Sequence, residues 1–245
     1  MNTSITKLIN TALNEVGYLE KANKNSLDSK TTNAGSNNYT KYARDLMQYN
    51  AGIYVNGYAW CDTFVDWCFV QTFGAELALE ILGGWSAYTP TSASYYKNRG
   101  FWCTTPQKGD QVFFKNASGV ICHTGIVYDV DSTYIYTVEG NTSSASGVVA
   151  NGGAVEKKKY AKNYSNIAGY GRPQYPVEQK KEEEPMSQQE KIYDWVLACP
   201  RWSQPYVQKA VDLGWIQGNE KGELRLTDTK IWCLVVLLRA LGKME

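Results

Sequence analysis

The chain predicts an α+β fold followed by a small helical module, and three observations carry that expectation. Near the start, apolar residues recur at helical spacing. From about residue 109 they crowd into short runs rich in Val, Ile, Tyr and Phe, separated by Asp, Asn and Gly. A charged stretch bounded by prolines, "PVEQKKEEEP", then sets off a tail of helical pattern. Helices first and strands later are the order of an α+β domain.

Taken in order, Ile5, Leu8, Ile9, Ala12, Leu13 and Val16 line one face of an opening amphipathic helix. "KANKNSLDSKTTNAGSNN" is polar and turn-rich, and reads as a long surface loop. "YTKYARDLMQY" is a second helix. "WCDTFVDWCFVQTFG" is a third, apolar all round and therefore buried, and Gly74 stops it. "GDQVFFKN", "HTGIVYDVD" and "TYIYTVEGN" read as strands of an antiparallel meander, to which "GAVEKKKYAKN" and "NIAGYGRPQY" add two more. The expected boundaries are a first domain over 1–175, a linker over 176–186 and a helical module over 187–245. In the module, "KIYDWVLA", "SQPYVQKAVDLGW" with Ser203 as its cap, and "TDTKIWCLVVLLRAL" are the expected helices.

Composition excludes several functions. Of 245 residues 43% are apolar, enough for a packed core, and 25 basic against 24 acidic residues leave a net charge of +1. So even a balance offers no footprint for nucleic acid or an anionic membrane. The longest apolar run, "IWCLVVLL", has eight residues, far short of a membrane span. The N-terminus lacks the basic start, apolar run and cleavage site of a signal peptide, so a soluble protein made in the cytoplasm is expected. Six cysteines there read as free thiols. With one histidine and no CxxC, the zinc sets cannot be completed.

The chemistry concentrates on two places. Cys61 stands where a loop containing Gly57 runs into the buried helix. Unpaired N–H groups and the positive dipole end at a helix start favour a thiolate, and the same groups can hold an oxyanion. Asp62 works against this unless its side chain points away. Cys68, two turns further in, reads as a small core residue. His123, the only histidine, opens a strand, and the next strand carries Glu139 and Asn141 two residues apart on one face. Pairing of those strands would let one of the two hold the imidazole by its second nitrogen, completing a nucleophile–base–orienter set.

In that order, "GYAWCDTFVDW", "PQKGDQVFF", "HTGIVYDV" and "VEGNTS" resemble the CHAP domain, a group of papain-like cysteine hydrolases of peptidoglycan related to the NlpC/P60 group. The resemblance covers roughly residues 5–175. It implies a papain-like domain, with N-terminal helices packed on an antiparallel sheet. It also implies Cys61 as nucleophile, His123 as base, Glu139 as the orienting residue and Asn141 as its neighbour in an E-x-N pattern. Many relatives carry a glutamine before the nucleophile; here Trp60 stands there, and Tyr58 is the substitute candidate for an oxyanion donor. The implied reaction is cleavage of a cell-wall amide, as amidase or endopeptidase, without a cofactor. Some CHAP domains bind calcium, but Asp28, Asn33 and Asn37 bring a single carboxylate to the corresponding loop. The absent signal peptide and the wall substrate together resemble a bacteriophage endolysin, made in the host cytoplasm and acting on the wall after release. Two other readings compete: a muramidase using Glu139 and Asp129, and an inactive wall-binding protein.

The tail from "VQKAVDLGWIQG" to "LLRAL" resembles one S-layer homology repeat, which implies binding of secondary cell-wall polymers. Trp202, Trp215 and Trp232 are candidates for stacking on sugars or for the module's core. Sixty or so residues bury little, so self-association through this module is expected. Met186 follows "QKKEEEP", whose codons favour a ribosome-binding sequence, and a second product starting at Met186 is a further expectation.

Overall fold

The computed structural model describes residues 3–176 and 191–244. The chain divides into two compact units, Met1–Glu178 and Gln179–Glu245. The expected linker beyond residue 176, with Met186, lies outside the described residues.

The first unit opens with α1 (Thr3–Asn14), which buries Leu8, Ile9 and Ala12 from one face. A long loop follows, tied by isolated bridges of Lys21 to Ala34 and Tyr39. Helix α2 (Lys41–Leu46) starts at Thr40, whose hydroxyl accepts from the Ala43 amide at 3.2 Å and satisfies one free donor of the first turn. In α3 (Cys61–Phe73) every residue from Cys61 to Val70 is buried. The all-round apolar pattern has the physical meaning expected of it, a helix packed on every side. It touches α1, α2 and α4 as well as the sheet. Gly74 ends α3 at φ 77°, a conformation that costs glycine nothing, and the chain turns at once into α4 (Ala75–Leu82). Helix α5 (Thr89–Asn98) follows. Neither α4 nor α5 was anticipated from the sequence pattern.

Six strands form one antiparallel sheet: β1 (Trp102–Cys103), β2 (Gln111–Lys115), β3 (Ile121–Val130), β4 (Tyr134–Thr142), β5 (Ala154–Ala161) and β6 (Ile167–Gly171). The spatial order is β1-β6-β2-β3-β4-β5. Strands β2 to β5 are the expected meander, but β6 returns to the far side and pairs with β2. Helices and a six-stranded antiparallel sheet make the unit α+β. Its main core joins α1, α2, α3 and α4 to Ile126, Val138 and Val155 of the sheet, so α3 lies against β3 and β4.

The second unit is small. Tyr193 bridges Leu226, and Val196–Ala198 make one 3-10 turn where an α-helix over "KIYDWVLA" was expected. Too few apolar side chains are buried there to hold a longer helix, since Trp195 and Leu197 face solvent. Helix α6 (Gln204–Asp212) and helix α7 (Asp228–Ala240) enclose Tyr206, Val207, Ile231, Val235 and Leu238. Ser203 stands at the N-cap of α6 as expected, but its hydroxyl caps no amide and donates to the Pro200 carbonyl at 2.8 Å instead. Thr227 caps α7 through the Lys230 amide. Among the described residues, no helix is long and apolar enough to cross a membrane.

Candidate active site

The start of α3 is held firmly. Trp60, fully buried, donates its indole N–H to Glu20 at 2.9 Å and packs its ring 5.4 Å from that of Tyr42. The indole N–H is thereby used, so Trp60 supplies no donor to a reacting carbonyl. The first amide of α3 to find an acceptor within the helix is that of Phe64, bonded to the Trp60 carbonyl. The amides of Cys61, Asp62 and Thr63 precede it, as the unpaired donors of a helix start do. Cys61 is buried and its thiol is free.

His123 sits on β3 opposite Phe114 of β2, with the two rings stacked 5.9 Å apart. Its Nε2 lies 3.0 Å from Oε2 of Glu139 on β4, and both side chains are fully buried. Glu139 is itself held: Tyr160 donates to Oε2 at 3.2 Å and Thr137 to Oε1 at 2.5 Å. Burial opposes charge on the imidazole, but hydrogen bonding to Cys61 and Glu139 and their negative charge outweigh it, pushing His123 up to about 10. Nδ1, turned from Glu139, is buried without a partner of strict hydrogen-bond geometry. Cys61 is the neighbour that acts on the ring. Its charge also acts on Cys122, whose thiol is pushed up first by burial and then by Cys61. The nucleophile candidate is therefore within electrostatic reach of the start of β3, without a closed hydrogen bond to the ring, as resting nucleophile–base pairs often are.

Asp62 points away from this pair. Its Oδ2 accepts from Ser92 at 2.5 Å and its Oδ1 from Gln111 at 3.0 Å, and Gln111 also reaches Thr124 at 3.1 Å. Burial pushes Asp62 up to about 7, against the pull of those two hydrogen bonds and of His123. Cys68 is wholly buried in the core, which raises its thiol well above the ordinary value. That suits packing and not attack.

Glu139 and Asn141 part company. The β4–β5 register slips between Glu139 and Thr142, and Asn141 takes φ 55° inside the bulge. Its amide donates to the Ala150 carbonyl at 3.3 Å, and its Oδ1 is buried without a hydrogen-bond partner. Tyr58 stands 69% exposed on the wall of an open cleft that Ala59 and Thr63 also line.

In the loop that carries Asp28, Asn33 and Asn37, each of the three side chains has a partner within the chain. Asp28 is clasped by Arg44 at 2.7 and 2.8 Å. Asn33 and Asn37 turn amide donors, not oxygens, to the loop carbonyls of Asn25 and Ala22. The fully buried Lys21 extends its ammonium to the carbonyls of Leu19 at 2.5 Å and Lys30 at 2.9 Å. Among the described residues no cluster of three His, Cys, Asp or Glu could hold a metal.

The muramidase pair does not assemble. Asp129 is bound to Lys108 at 2.7 Å, which draws its carboxyl below the ordinary range. Strand β3 bulges between Val127 and Asp129, so Asp129 stands opposite Tyr136, three residues from Glu139 along β4. At strand rise that is ~10 Å along the sheet, outside the ~5–9.5 Å of paired glycosidase carboxylates.

Several residues of the site escaped sequence reasoning. Thr137 was legible, because period-2 alternation sets it on the face of Glu139. Tyr160, Glu20, Ser92 and Gln111 were not, since each arrives from a distant segment.

Residues 53–141 match the model of the CHAP domain family, a stretch that includes Cys61, His123 and Glu139 and ends on Asn141. The match supports a CHAP-domain peptidoglycan hydrolase over these residues. Among solved structures, "The crystal structure of Ly7917" is similar at 13% identity and a TM-score of 0.40, over 69% of this chain. The alignment spans 62% of that structure's chain. No curated protein matches.

Proposed function

We propose that the protein is a cysteine peptidoglycan hydrolase that cleaves a cell-wall amide through Cys61, His123 and Glu139. The observation that carries this reading is the buried His123–Glu139 pair, with Cys61 acting on the same imidazole from the start of α3. Sγ attacks the carbonyl as thiolate, and the amides of the first turn of α3 face the oxygen that becomes charged. His123, held as imidazolium by its neighbours, gives its proton to the leaving amine. It then takes one from water as the thioester is hydrolysed. Glu139 keeps the ring in register and offsets its charge. Asn141 shapes the bulge beside Glu139, and Tyr58 belongs to the substrate wall.

The same reading includes an endolysin role: a protein stored in the host cytoplasm and acting on the wall after release. The second unit would serve wall binding or self-association, with a second product from Met186 as partner. Alkylation tests the core of the proposal. Purified protein treated with iodoacetamide is expected to stop clearing cell-wall suspensions, and muropeptide mass spectra to show new amine termini only before treatment. Lysis that survives complete alkylation of Cys61 would point to another chemistry.

A further inference from the structure

We infer that Asp62 is a positioning residue for the Cys61–His123 pair, acting through a buried bridge to Gln111 and Thr124 that sets the spacing of α3 from β3. The inference rests on the hydrolase reading and concerns the same site. Asp62 follows Cys61 on α3, and Thr124 follows His123 on β3. The bridge therefore crosses from helix to sheet one residue beyond the pair itself.

Each link is a closed hydrogen bond. Asp62 Oδ1 accepts from Gln111 Nε2 at 3.0 Å, and the same nitrogen gives its second hydrogen to Thr124 Oγ1 at 3.1 Å. The Thr124 hydroxyl donates in turn to the Val112 carbonyl at 2.7 Å. Ser92 of α5 donates to the other carboxylate oxygen at 2.5 Å. Asp62, Gln111 and Thr124 are fully buried, where such bonds are strong and solvent does not compete for them. The pair needs a frame of this kind. Nδ1 of His123 has no closed hydrogen bond, so its contact with Cys61 does not fix its own length. Glu139 fixes the ring through Nε2 at 3.0 Å, and the bridge fixes the helix that carries the sulfur.

A loose carboxylate beside the nucleophile would only oppose a thiolate, whereas one tied by two donors anchors the helix start. Asp66, one turn on, is also buried but bonds Tyr54 and the Ser86 amide, outside the bridge. The chain has one histidine and hence one imidazole signal, whose titration reports the contact with Cys61. Charged groups that face the ring are Cys61 and Asp62 from α3 and Glu139 from β4. Asp62 itself faces Asp66 of its own helix and the phenols of Tyr54 and Tyr96. Against burial, hydrogen bonds to Cys61 and Glu139 push His123 up to about 10, so a sulfur drawn away from the ring brings that titration down.

The test follows the imidazole signal by NMR in the full-length protein, at a temperature where every variant is folded. Asp62→Ala is expected to move the titration down from about 10 towards 6.5. It should also slow lysis at saturating wall about ten- to a hundredfold. Gln111→Leu breaks the bridge at its centre and is expected to do the same, and the double variant to be no slower than either alone. Asp62→Asn keeps the acceptor for Gln111 without the charge, and is expected to stay close to wild type in both readouts. Asp66→Ala is expected to lower the melting temperature and leave the titration in place. A titration unmoved in Asp62→Ala or Gln111→Leu, or moved as far by Asp66→Ala, overturns the positioning role. Equal losses in Asp62→Asn and Asp62→Ala assign the effect to charge and overturn the bridge. A wild type that titrates near 10 but releases no wall fragments sinks the hydrolase reading alone, and the variants' titrations still decide the bridge.

Discussion

Two cysteines seven positions apart on one helix have opposite surroundings. Cys61 meets an imidazole at the helix start; Cys68 meets only core, where burial keeps its proton on. Cys61→Ala is therefore expected to lower lysis by at least about a thousandfold with an unchanged circular dichroism spectrum. Cys68→Ala should keep near wild-type rates and lose stability alone. Glu139→Gln is expected to fall between, about 10²–10⁴ below wild type, because the ring loses its counter-charge and tautomer control. His123 also leaves a signature in stability. Its pKa rises from 6.5 to about 10 on folding, so the imidazolium stabilises the fold fully below 6.5 and progressively less as pH climbs through about 10. The gap in melting temperature between wild type and His123→Ala should narrow over that window. The positions of Cys61, His123 and Glu139 were legible because helix-start and strand patterns are local. The side chain of Asn141 was not, since a bulge two residues past Glu139 breaks the alternation from which a shared face was read.

At the scale of elements, the site depends on how closely α3 lies on the sheet. A Cβ at Gly140 would come within 2.5 Å of the Phe64 Cβ and 2.8 Å of the Trp60 ring. Gly125 faces the other partner, where a Cβ would meet the Glu139 Cγ at 2.5 Å. Gly140→Ala is expected to push α3 off β4 and lower both the melting temperature and the rate. Gly125→Ala should displace Glu139 and lower the rate more than the melting temperature; equal melting and rate losses in both variants would refute this distinction. The buried acids of α3 add a second dependence. Asp62, pushed from 3.8 up to about 7 by burial, binds a proton more tightly folded than unfolded, so stability declines as pH rises across that interval. Thermal melts of Asp62→Asn should show a flatter decline. Helices α1, α2 and α3 were legible from periodicity and capping. "AELALEIL" carried the same helical signal for α4, while the serine- and tyrosine-rich "TPTSASYYKN" hid α5.

At the scale of the whole molecule, the second unit differs in how well it covers its own apolar surface. On α7 Trp232, Val236 and Leu237, and just past its end Leu241, are all more than half exposed, and the Trp202 ring lies 4.8 Å from that of Trp232. Such a stripe suits a partner. Sedimentation of the full-length protein is expected to show a dimer, and the Val236→Glu, Leu237→Glu double variant a monomer that still cuts soluble muropeptides. Its intact mass spectrum should also contain a fragment beginning at Met186 that Met186→Leu removes. The helical pattern of α7 was plain in the sequence, but which side stays uncovered was not. An apolar all-round helix reads as buried until the neighbours are counted.

Lys21 gives the long N-terminal loop a property of a different kind. A cluster of backbone carbonyls that would attract a diffusible cation holds one already, attached to the chain by covalent bonds. Closing the loop is then a unimolecular event, free of any dependence on the ionic make-up of the surroundings. The loop geometry is then the same at very different divalent-ion concentrations. Chelation with EDTA is accordingly expected to leave the melting temperature of the wild type unmoved, and Lys21→Met to lower it in any buffer.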